Sequence, residues 1–132
     1  GEMNTFAQRT MGWVQMQKKD NVKAEEAFTK SLTLEPNNSQ VSAWLGTVMI
    51  AQRGEKIGPS LFHFARAGYY DGPGAVDATA RKSYQDYFNK VYKQYHGSEK
   101  GVDEVIAAAK ASAMPPAGFK IKSLKEIIEE EA

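Results

Sequence analysis

A chain of 132 residues with 17 basic and 16 acidic side chains is near neutral, and long enough to bury one real core. That balance leaves no electrostatic footprint for nucleic acid or an anionic membrane. No apolar run approaches the roughly 18 residues that a spanning helix needs. The absence of cysteine removes disulfides, thiolate nucleophiles and sulfur-ligated metals together.

The predicted elements are all helical, and they recur. Gly12 returns as Gly46, Phe28 as Phe62 and Ser31 as Ala65, each pair 34 residues apart, a period that marks stacked repeat units. The first hairpin spans residues 4–36. Its first helix carries Phe6, Met11 and Val14 at three-to-four spacing and ends near Lys18-Lys19, before a turn at Asp20-Asn21. Its second helix runs from about Val22 to Leu34, with Ala24, Ala27, Phe28, Ser31 and Leu32 on one face, and Glu35-Pro36 stops it. The second hairpin spans 39–72. Ser39 reads as its N-cap, Val41, Trp44, Leu45, Val48 and Met49 as its buried stripe, and Arg53-Gly54-Glu55 as its turn. Gly58-Pro59 opens the partner helix, which carries Leu61, Phe62, Ala65 and Gly68.

A third, elongated unit spans 75–112. One long helix to Tyr95 bears Tyr84, Tyr87, Phe88, Val91 and Tyr92. A turn at His96-Gly97 and a small-residue helix to Ala111 follow. Gly54 and Gly97, Phe62 and Val105, and Ala65 and Ala108 share an offset of 43. The last segment, 113–132, is a proline-rich connector anchored by Phe119 and Ile121. It leads to a short helix opened by the capping box Ser123-Leu124-Lys125-Glu126, which supplies a cover for the array.

The placing of Met11-Gly12, Ala24, Phe28 and Pro36, and of Leu45-Gly46 and Phe62, resembles the tetratricopeptide repeat. Gln8 and Gln15 depart from it, standing where that pattern has aromatics. The resemblance is to the bacterial type, and the opening Gly-Glu-Met-Asn reads as a C-terminal fragment of a longer protein. It implies an all-α, right-handed solenoid of about three hairpins plus a C-terminal capping helix, forming one domain. The concave face of such a solenoid binds a peptide or protein segment. Carried onto this chain, the concave positions are Phe6, Arg9, Trp13, Met16 and Gln17, then Ala43, Thr47, Ile50 and Ala51, with Tyr87 on the long helix. Trp13 beside Arg9 has the composition of an interface hot spot. The alternative is that Phe6 and Trp13 pack against an upstream repeat.

The remaining chemistry is thin. His63 and His96 lack companions at metal-ligand spacing, Asp71-Gly72-Pro73-Gly74 is turn composition, and no nucleophile elbow is present. The expected role is therefore a non-catalytic protein-interaction scaffold without cofactor or metal. Its partner is a protein or peptide, with neither nucleic acid nor membrane insertion. The alternative is a structural C-terminal cap or spacer that self-associates through its first hairpin as a homo-oligomer. A soluble protein is expected, and its compartment, cytoplasmic, periplasmic or secreted, is left open.

Overall fold

The computed structural model describes residues 3–132, with side chains from Thr5 onward. The described residues form seven α-helices and no strand. These are α1 (Met3–Gln17), α2 (Asn21–Leu34), α3 (Ser39–Gln52), α4 (Ile57–Tyr69), α5 (Ala78–His96), α6 (Val102–Ala111) and α7 (Leu124–Glu131). Consecutive helices from α1 to α5 pack side by side, in the order of the chain.

Local chemistry sets most boundaries. Asp20 and Asp77 cap α2 and α5 by accepting from the Lys23 and Ala80 amides. The N-cap of α3 is Asn38 rather than Ser39. The Asn38 amide oxygen takes the Val41 amide, and Ser39 is instead buried as the first helical residue. Gly97, left-handed at φ 90°, ends α5. The capping box of Ser123 and Glu126 forms as its sequence predicts, each side chain accepting from the other residue's backbone N–H.

The first hairpin closes on Gly12. A Cβ there would lie 2.5 Å from the Phe28 ring, so only glycine lets α1 and α2 approach this closely. In the second hairpin the matching contact is Gly46 on Phe64, not on Phe62. The first helices repeat at 34 residues, but the 3-10 turn at Gly54–Lys56 adds two residues before α4. Phe28 and Ser31 therefore correspond in packing to Phe64 and Ala67.

Phe62 is consequently released to a different neighbourhood. Every residue from Ser60 to Gly68 is buried, because α4 is covered on one side by α3, on another by α5 and on a third by α6. Phe119 of the connector stacks edge-on against Phe62 at 5.2 Å. Two cores result. One gathers Ala24, Phe28, Leu32, Val41, Leu45 and Val48 between α2 and α3, with Trp44 at its margin and Met114 reaching in from the connector. The other joins Leu61, Phe62, Phe88, Tyr92, Val105 and Ile121 around α4. Full burial of one phenylalanine contributes about 2–3 kcal/mol.

The two cores are joined by a buried cation. Arg66, 2% exposed, donates to the Ala109 and Lys110 carbonyls at the end of α6, and to the Pro36 carbonyl and Asn37 Oδ1 between α2 and α3. Its guanidinium also stacks on Tyr70, 4.1 Å from the ring centre. Among the described residues no carboxylate pairs with it. The partial negative charge of the α6 C-terminus serves in its place.

The third unit departs from the hairpin pattern. Both α5 and α6 lean on α4, and their own backbones scarcely approach each other. Nor does α7 lie along any helix. It is held at its base, where Leu124 rests against Gly97 and the Lys122 carbonyl faces His96 Nδ1 at 2.8 Å. A carbonyl only accepts, so Nδ1 carries the proton of that bond.

Candidate functional site

Because α3 and α5 stand on either side of α4, a hollow of about 360 Å³ opens between them. Thr47 and Ile50 of α3 form one wall, Ser83, Tyr84 and Tyr87 of α5 the other, and Phe64 of α4 the floor. Phe64 and Tyr87 meet edge to face with centres 4.9 Å apart, which sets the tilt of the exposed tyrosine. Of the four hydroxyls in its lining, those of Thr47 and Tyr84 have hydrogen-bond partners outside the hollow. Thr47 Oγ1 donates to the Ala43 carbonyl at 2.9 Å, and Tyr84 Oη accepts from Gln40 Nε2 at 3.4 Å. No charged side chain lines the hollow. Its lining is uncharged and mostly apolar.

The predicted binding residues fall into two groups. Thr47, Ile50 and Tyr87 are brought together here. Phe6, Arg9, Trp13 and Gln17 share the outer part of α1, where Phe6 is 66% and Trp13 46% exposed. Arg9 lies over the Phe6 ring at 5.4 Å and approaches Glu35 at 3.8 Å. Met16 is partly buried and packs against the core between α2 and α3. Met11 and Val14, expected in the amphipathic stripe of α1, are exposed instead. Gly12 and Met16 mark the face of α1 that is covered.

The sequence reading omitted Phe64, the floor of the hollow. The signal for it was present in the lengthened turn: moving the second helix by two residues puts Phe64, rather than Phe62, opposite Gly46. Two further clefts, of about 830 and 570 Å³, flank α7 and share Phe119, Lys120 and Ile121 in their walls.

The histidines are set apart from all of these features. His63 is wholly buried, and burial first, with the Arg66 charge second, holds its pKa down at about 3. Burial also lowers the Arg66 pKa from its ordinary value. His96 is tied to the base of α7. Among the described residues no three of His, Asp and Glu stand close enough to hold a metal ion. Among the described residues no helix is long and apolar enough to cross a membrane.

No protein-family model, no curated protein and no solved structure matches this chain.

Proposed function

We propose that the chain is a non-catalytic protein-interaction module, a right-handed solenoid of tetratricopeptide type that holds a peptide or protein segment on its concave face. The observation that carries this reading is the uncharged hollow over Phe64, walled by Thr47, Ile50 and Tyr87 and open to solvent. An apolar anchor entering it buries itself against two aromatic rings without stripping water from a charge. Support for the repeat type comes from Gly12 on Phe28 and Gly46 on Phe64, the same close approach in two successive hairpins. A second reading, a structural cap that self-associates through its first hairpin, is favoured by the exposure of Phe6, Met11 and Trp13 on α1.

The test is a selection of displayed random peptides on the intact chain. It is expected to enrich segments with one large apolar residue, and Tyr87→Ala is expected to weaken them about tenfold, the effect of losing one aromatic anchor. Peptides that bind equally well to Tyr87→Ala would place the site elsewhere. A selection that enriches nothing would reject the reading.

A further inference from the structure

A guanidinium has five N–H donors, and four of those on Arg66 are accounted for. Nη1 donates to the Ala109 and Lys110 carbonyls, and Nη2 to the Pro36 carbonyl and Asn37 Oδ1. The fifth, on Nε, is buried and meets no acceptor among the described residues. One helical turn earlier on α4, Nδ1 of the buried His63 is likewise without a partner. The two residues are close enough for the Arg66 charge to act on the His63 ring. Their two leftover atoms nevertheless do not bond to each other.

Neither group is free to turn away. The Arg66 plane is fixed by its four hydrogen bonds and by its stack on Tyr70. The His63 ring is enclosed and set edge-on to Phe62, with centres 5.4 Å apart. The other buried side-chain atoms without a partner are the hydroxyl oxygens of Ser31, Ser39 and Ser42, on α2 and α3. A hydroxyl rotates to suit its surroundings, so those three make no fixed demand. A donor held in a plane does.

The chemistry of the two atoms selects what lies between them. His63 is neutral near pH 7, so one ring nitrogen carries a proton and the other a bare lone pair. Beside a fixed positive charge, a lone pair is favoured over an N–H. Arg66 therefore offers a donor and His63 an acceptor. An anion would suit the first and repel the second, and a cation would do the reverse. A neutral hydroxylic molecule suits both, and the enclosure of both residues, 2% and 1% exposed, restricts it to the smallest.

We infer that one internal water sits between Arg66 and His63, accepting from Nε–H and donating to Nδ1. It supplies the fifth bond of the guanidinium and holds His63 in its Nε2–H tautomer. The joint between the two cores is thus hydrated rather than dry, since internal waters take up the polar groups that a fold leaves over. The assignment is independent of the reading of the hollow over Phe64.

Nuclear magnetic resonance on the intact, isotope-labelled chain near pH 7 tests this. The His63 nitrogen shifts are expected to show Nδ1 bare and Nε2 protonated. Arg66 Nε–H is expected to give a rotating-frame Overhauser contact to water, with the sign of proximity rather than of proton exchange. His63→Phe keeps an enclosed ring but removes the acceptor, and it should abolish that contact. A histidine that merely fills the core would leave the contact unchanged in His63→Phe, and this result overturns the assignment. A proton on Nδ1 of the wild type overturns it too, as does an Arg66 Nε–H without contact to water. These last two readings come from the wild type alone and stand whether or not the variant folds.

Discussion

The contact of Gly12 on Phe28 in the first hairpin is repeated as Gly46 on Phe64 in the second, yet the two hairpins meet different surroundings. Around α2 the burial is one-sided: Val22, Lys23 and Lys30 face water, and α1 leaves Phe6, Met11 and Trp13 uncovered. Around α4 it is complete, because α5, α6 and the connector close over the faces that α3 does not reach. The same local device therefore yields a half-open layer at one end and an enclosed helix at the other. What differs is the supply of neighbours, not the hairpin itself.

The comparison is broken most strongly at Arg66, which joins the half-open layer to the enclosed one. Arg66→Ala removes its hydrogen bonds to the α6 terminus and to the connector between α2 and α3, leaving those acceptors buried. We expect a loss of about 3 kcal/mol, read as a lower urea midpoint.

The next prediction sharpens the contrast between the glycines. Gly12→Ala sets a methyl 2.5 Å from the Phe28 ring and is expected to cost about 2 kcal/mol by chemical denaturation. Gly46→Ala meets Phe64 at 3.0 Å, and the gain in helix propensity, about 1 kcal/mol, offsets much of the strain. Equal losses at the two sites would show that the hairpins are equally tight.

A third effect separates the layers by pH. His63 belongs to α4 alone, and its pKa of about 3 lies below the ordinary 6.5. Between those values the unfolded chain binds the extra proton. Stability is thus complete above about pH 6.5 and falls as pH drops towards about 3, by at most about 1.4 kcal/mol per pH unit. His63→Leu should flatten this slope when urea midpoints at about pH 7 and about pH 5 are compared.

Much of the layout was legible from spacing. The three-to-four recurrence of apolar residues marked the helices, Asp20-Asn21 and His96-Gly97 marked turns, and Ser123 to Glu126 spelled its capping box. What spacing could not reveal was the choice between two phenylalanines two residues apart. Phe62 and Phe64 both end up buried because α4 is enclosed, and its polar residues Ser60, His63 and Arg66 are buried with them, so no solvent-facing side sets the register. On α1 the difficulty was the reverse. Met11, Val14, Trp13 and Phe6 are apolar on a side that nothing described here covers, and periodicity alone counted some of them as core. Of the hollow proposed as a binding site, Thr47, Ile50 and Tyr87 are also residues that the resemblance names, whereas the floor needed the true length of the turn.

The connector that crosses α4 has a consequence for the order of folding. Phe119 and Ile121 seal Phe62 and Gly58 from far along the chain, so the cover of α4 is synthesised after all six helices of the bundle. On the ribosome, α1 to α3 can settle early through contacts close in sequence, while α4 keeps an apolar flank open until the connector emerges. That interval, rather than any property of the finished molecule, is when the chain is most exposed to chaperones and to aggregation.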